Sequence, residues 1–182
     1  MSPHMRPLQK GKLRSRVVLT AMISFVALAS ASACVAPPTP SSGPRITGQA
    51  CAVESGVTVV VDYTALNNSI VIACAAGPQA SGFAALAAAG FTYTEVPTYP
   101  GAVCTINALP AQGFPFCWET GGYWGYYRSA DRAGTWDYSP VGAAEGPLLE
   151  GSVEGWVWQA DFSDNLPGGS YGGGIQLANY TP

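Results

Sequence analysis

Five carboxylates in the second half of the chain, Asp131, Asp137, Glu145, Glu150 and Glu154, are the first residues to consider for chemistry. Glycoside hydrolysis needs two carboxyls flanking a cleft at a defined separation. These five are scattered through glycine-rich stretches, where acids are far more often solvated surface. The only histidine is His4, which removes Ser-His-Asp and Cys-His systems and His-ligated metal from the rest of the chain. No Cys-x-x-Cys spacing suggests a thiolate metal site. No catalytic residue, metal ligand or cofactor is therefore assigned, and the chemistry on offer is recognition rather than reaction.

Recognition has an obvious candidate in the aromatic stretch from Gly121 to Trp158. It holds every tryptophan except Trp118. On a strand Trp124 and Tyr126 face one way while Tyr123 and Tyr127 face the other. Core packing in a single-sheet domain absorbs one side of a strand pair, so the other side is expected to be an open platform. The candidate ligand-binding residues are Tyr123, Trp124, Tyr126, Tyr127, Arg128, Trp136 and Tyr138. Arg128 and Arg132, at the end of this hairpin, are placed to meet an anionic group. The plainer reading is that any single ring belongs to the core, and that the arginines pair with Asp131 or Asp137 at the surface.

The elements that position this platform follow an export address. Arg6, Lys10, Lys12, Arg14 and Arg16 precede an uncharged run from Val17 to Ala33, the pattern of a secretory signal peptide over residues 1–33. The run is short and diluted with Ser, Thr and Ala, which argues against a permanent span. Ser30-Ala31-Ser32-Ala33-Cys34 resembles a bacterial lipobox, with Ala31 where Leu is commonest. Acylation of Cys34 would tether the protein to the outer face of the cell membrane; free secretion is the alternative. Residues 34–50 then read as the lipidated cysteine and a Pro/Ser-rich tether. Removing Cys34 from the five cysteines leaves Cys51, Cys74, Cys104 and Cys117, an even set suited to two disulfides in an oxidising compartment. Three connectivities are open. Pairing Cys51 with Cys74 and Cys104 with Cys117 is preferred because each pair brackets one hairpin-like segment, and each bridge adds roughly 2 to 4 kcal/mol.

After the leader the bases are Arg45, Arg128 and Arg132 against eleven acids, a net charge of −8. Nucleic acid is not a partner for such a surface. Val57–Tyr63 and Ser69–Cys74 are β-branched runs joined by five residues, a hairpin. Ser81–Phe91 is the one convincing helix, with Ser81 as N-cap, Gly90 as a left-handed stop and an apolar stripe of Phe83, Leu86 and Ala87. Strands are further expected at Phe91–Val96, Val103–Asn107, Tyr123–Arg128, Thr135–Tyr138 and Gly155–Trp158, extending one sheet. The expected fold is α+β, a mixed sheet of about five strands with one short helix packed on it, over residues 51–162. Residues 163–182 read as a Gly-rich tail.

The Val-rich hairpin, the helix Ser81–Phe91, the strand with Tyr123-Trp124 and the closing Gly151–Trp158 segment, in that order, resemble the β-grasp domain that ends transcobalamin and intrinsic factor. A similar module occurs in small exported actinobacterial lipoproteins. The resemblance covers about Gly56 to Gln159 and implies a β-grasp-like fold. It also implies a small flat ligand, a corrinoid such as cobalamin, captured for uptake. A structural lipoprotein that docks a transport or cell-wall protein without any small ligand is the reading from a different class.

Cys34 gives the first test. Detergent-phase partitioning should carry the wild-type protein into detergent and leave Cys34→Ala in the aqueous phase. Recovery of both from the aqueous supernatant would remove the anchor.

Overall fold

A computed structural model describes residues 45–67, 69–129, 132 and 135–168. The expected leader, Cys34 with its expected anchor, Asp131 and residues 169–182 of the expected tail lie outside the described residues. Gly56–Asp62 (β2) is valine-rich and buried along its whole length, as suits β-branched side chains on a pleat covered from both sides. It turns through Thr64–Asn67 (α1) into Ser69–Ala76 (β3), which returns antiparallel to it. The main sheet adds Arg45–Gly48 (β1), Gly122–Ser129 (β6), Asp137–Tyr138 (β7) and Val153–Ala160 (β8). Its order is β1-β3-β2-β8-β6-β7. The β1–β3 and β2–β8 pairs are parallel and the others antiparallel, so the sheet is mixed.

Helix α2, Gly82–Ala88, begins where Ser81 accepts a hydrogen bond from the Ala84 amide through its hydroxyl. It ends in a Schellman arrangement, with the Phe91 amide donating to Leu86 and the Gly90 amide to Ala87. Gly90 has φ of 89°, a conformation open to glycine and strained for most other residues. Phe83, Ala85 and Leu86 are the buried side chains of its apolar face, whereas the expected Ala87 is exposed. Ala85 takes that place because the helix settles over the sheet by its Phe83–Leu86 turn. Phe83 stacks on Tyr93 at 4.6 Å.

Tyr93–Val96 (β4) and Tyr99–Ile106 (β5) depart from the single-sheet expectation. They pair with each other, antiparallel, in a separate two-stranded sheet. The molecule is thus mostly β, with a six-stranded mixed sheet rather than about five strands in one. Both expected disulfides are present, Cys51 to Cys74 and Cys104 to Cys117. The first joins the segment before β2 to β3. The second ties β5 to a 3-10 turn at Cys117–Thr120.

Both faces of the main sheet are covered. Val57, Val59, Val61, Trp124, Trp156 and Trp158 form one cluster on one face with Phe83 and Leu86 of α2 and Val103 and Ile106 of β5. On the other, Val60, Ile70, Ile72, Tyr127 and Val157 pack with Ala50 and Trp136. Two segments expected to lie outside the domain help to cover this second face. β1 falls within the expected tether yet pairs with β3, and Ile46 packs on the cluster. Residues 163–168, in the expected tail, fold back, so that Pro167 and Gly168 are buried. Two buried polar side chains hold them. Asp62 accepts from the amides of Thr64 (2.8 Å) and Gly168 (2.7 Å). Gln159 accepts from the Asn165 amide at 2.7 Å and donates to the Asn165 carbonyl at 2.7 Å.

A Cβ on Gly155 would stand 2.6 Å from the Trp136 ring and 2.9 Å from Pro167. Gly155→Ala should therefore destabilise the domain by about 1 to 3 kcal/mol through overpacking, measured by urea unfolding. A variant as stable as wild type would mean that neither ring is seated on β8.

Candidate functional site

The cross-strand register of β6 and β8 sets the site. Trp124 lies opposite Trp158, Tyr126 opposite Trp156 and Arg128 opposite Glu154. Because strand side chains alternate, all six share the α2 face. Tyr126 stacks on Trp156 at 4.8 Å, and Trp124 meets Trp158 edge-on at 5.7 Å. The rings expected to form an open platform are therefore largely core: Trp124, Tyr126, Tyr127 and Trp136 are all buried. The expectation assumed one covered face of a single sheet, and here α2 covers one while Trp136 and the folded-back segment cover the other.

Beside these rings opens a cavity of about 560 Å³. Its inner wall is formed by Trp124, Tyr126 and Trp156. Tyr99 of β5 and Trp118 of the 3-10 turn stand on one side, their centroids 5.6 Å apart and planes tilted by 54°. Tyr138 and the loop through Glu145 form the other side. Tyr99 and Trp118 are exposed by 61% and 38%, which makes that side of the mouth aromatic as well as the wall, whereas the exposed Tyr138 ring packs edge-on against Tyr127 on the opposite face of the sheet at 5.3 Å. The loop is fixed to the main structure, since the Phe83 amide donates to the Ala143 carbonyl at 2.9 Å and the Ser139 amide to the Tyr126 carbonyl at 2.9 Å. The Trp156 indole N–H is buried without a hydrogen-bond partner among the described residues.

Of the seven expected binding residues, the cavity brings together Tyr123, Trp124, Tyr126 and Tyr138. Tyr127 and Trp136 sit in the cluster on the opposite face. Arg128 is turned to Glu154, its Nε donating to Oε2 at 3.3 Å. Arg132 reaches away from the hairpin and donates to the Cys51 carbonyl at 2.6 Å. Neither arginine is held for an anionic ligand, because each has a protein acceptor within reach. Tyr99, Trp118 and Trp156 were not singled out for binding from sequence. The local signal for Trp118 is its place directly after Cys117, whose bridge to Cys104 carries it to β5.

Among the carboxylates, Asp137, Glu145 and Glu150 are exposed and Glu154 is buried. Burial raises the Glu154 carboxyl above its ordinary value, and the hydrogen bond from the Tyr126 hydroxyl and the charge of Arg128 offset this only in part. Tyr126 is raised as well, first by burial and then by the neighbouring Glu154. The Arg128 guanidinium lies 5.5 Å from the Tyr126 ring centroid, a cation–π contact. The three groups form one network beside the cavity. No group of three or more His, Cys, Asp or Glu side chains among the described residues is arranged around a metal. Comparison with family models, curated proteins and solved structures found no match to this chain.

Glu154 makes stability depend on pH in a definite direction. A carboxyl whose folded pKa is raised holds its proton in the folded state while the unfolded chain has released it. Its contribution is fully present below the ordinary value of 4.5 and is lost as pH rises through the raised one. Glu154→Gln removes this loss. In urea unfolding from pH 4 to pH 7, the stability of Glu154→Gln relative to wild type should rise with pH. A flat or falling difference would show that the carboxyl is not held protonated by the fold.

Proposed function

We propose that this protein is an extracytoplasmic binding protein that holds a small organic ligand in the aromatic cavity between β5, β6 and the Tyr138–Glu145 loop. The observation that carries the reading is a cavity of about 560 Å³ whose wall contains Trp124, Tyr126 and Trp156 and whose rim carries the exposed rings of Tyr99 and Trp118. Ligand sites are concave, largely apolar and of this size. Exposed rings from separate elements lose little entropy on binding because the sheet and the Cys104–Cys117 bridge already hold them. The two disulfides support an oxidising compartment, and tethering through Cys34 would keep the module at the outer face of the membrane. Within this proposal the mixed sheet crossed by one helix is a β-grasp-like module of the transcobalamin type. A corrinoid is the largest ligand in question, meeting the cavity along one edge because the ring faces of Trp124 and Tyr126 are covered.

A second reading, docking of a transport or cell-wall protein, is favoured by Phe114 and Phe116. They stand 55% and 59% exposed on the loop closed by Cys117.

Titration with the neutral reporter N-phenyl-1-naphthylamine separates the two. One saturable site is expected, and Ala144→Trp, which fills the rim, should abolish it without lowering the melting temperature. Cobinamide should compete if the ligand is a corrinoid. Absence of saturable reporter binding, or binding unchanged by Ala144→Trp, would overturn the cavity as the site and leave the Phe114–Phe116 loop.

A further inference from the structure

We infer that the end of the main sheet at which the chain enters through Arg45 rests on a lipid bilayer, with Phe114, Phe116, Phe162 and Leu166 seated in the headgroup region. This contact is separate from the cavity and does not depend on it.

Strand register brings these residues to one end. Arg45 opens β1 opposite Ser69, the first residue of β3, and the next residue, Ile70, lies opposite Asp62, the last of β2. Asp62 pairs in turn with Val157, and Ala160 at the end of β8 lies opposite Gly122 at the start of β6. Two loops are fixed at this end. The loop closed by the Cys104–Cys117 bridge runs into β6, and the Trp124 indole N–H donates to its Leu109 carbonyl at 3.3 Å. The segment after β8 is held by Gln159 and Asp62. The Asp161 amide donates to the Gly121 carbonyl at 2.8 Å and joins the two.

On these pinned loops large apolar side chains stand in solvent. Phe114, Phe116 and Phe162 are each more than half exposed, and Leu166 is 43% exposed. Phe114 and Phe116 line one cleft, and Phe162 lies over Tyr123 at the start of β6, with centroids 6.2 Å apart. Exposed apolar side chains gathered in one region mark an interaction surface. Because their backbone is already fixed, seating them elsewhere costs little further ordering.

The point of chain entry selects the partner. Fully extended, the residues between Cys34 and Arg45 reach at most about 40 Å. Tethering through Cys34 would hold this end near the bilayer at high effective concentration. The opposite end, where Val53 and Leu149 are exposed, carries no exposed phenylalanine among the described residues. Phenylalanine and leucine are the side chains that sink into the boundary between headgroups and acyl chains. Charge then sets the kind of surface. Glu119, Asp161 and Asp164 are exposed on these loops, and Arg45 is the one base at this end among the described residues. The contact is therefore apolar, and neutral headgroups suit it better than anionic ones.

Flotation with phosphatidylcholine vesicles tests the inference on the exported Cys34→Ala chain, recovered from the supernatant without its leader, so that no acyl anchor contributes. The chain should float at millimolar lipid, equally at low and high salt, and less well on vesicles enriched in phosphatidylglycerol. Phe116→Ser and Phe162→Ser should each weaken partitioning by about threefold to tenfold, whereas Leu149→Ser at the opposite end should leave it unchanged. Melting temperatures identify a variant that does not fold, and the other phenylalanine then carries the test. Failure of the Cys34→Ala chain to float, or flotation unaffected by both phenylalanine substitutions, would overturn the inference and leave these rings to a protein partner. Dimerisation of the free chain that is lost in Phe116→Ser would overturn it in favour of a second copy. Reporter binding to the cavity, measured without vesicles, should survive both substitutions, so failure of the bilayer contact and failure of the cavity are told apart.

Discussion

The antiparallel register between β6 and β8 is the constraint on which the rest of this structure depends. It sets Trp124 against Trp158, Tyr126 against Trp156 and Arg128 against Glu154 on one face, and sends Tyr127 to the other. A shift by one residue would exchange the two faces, bringing Glu154 and Arg128 out of their network and Gly155 away from Trp136. Neither face tolerates that exchange. One is shaped to α2, and the other leaves no room at Gly155 for a side chain beneath Trp136 and Pro167.

Covering both faces changes what the aromatic residues can do. Rings at the centre of the sheet stabilise it by burial, each removing a large apolar area from water, and so are withdrawn from solvent. The rings left exposed lie at the margin, Tyr99 on β5, Trp118 on the 3-10 turn and Tyr138 on β7. These margins are held from outside the sheet. The Cys104–Cys117 bridge fixes the turn to β5, and backbone hydrogen bonds from Phe83 and Ser139 fix the opposing loop. The cavity is therefore a junction between a rigid sheet and short elements pinned to it, an arrangement that favours preorganised binding.

The network of Tyr126, Glu154 and Arg128 shows the opposite economy. Placing a carboxyl in the core is unfavourable, and a single, partly exposed arginine offsets this incompletely. What the network provides is position. It holds Tyr126 beside Trp156 at the inner wall and fixes the Arg128 guanidinium 5.5 Å from the Tyr126 ring.

The sequence by itself determined the local elements and the covalent frame. Val-rich runs gave β2 and β3, Ser81 and Gly90 gave the limits of α2, and the four cysteines gave two bridges, because these signals act between residues near in sequence. Tertiary structure alone decided which faces are buried. That β4 and β5 leave the main sheet, that β1 and residues 163–168 join the domain, and that Gln159 and Asp62 hold the latter are outcomes of contacts between distant segments. Composition marked residues 34–50 as a tether and 163–182 as a tail, and it carries no record of the buried acceptors that capture a polar segment. The aromatic stretch was legible as important, and each ring singly as core, but not which rings would be left exposed. Alternation gives two faces to every strand, and only the packing of other elements against them determines whether a ring meets solvent or protein.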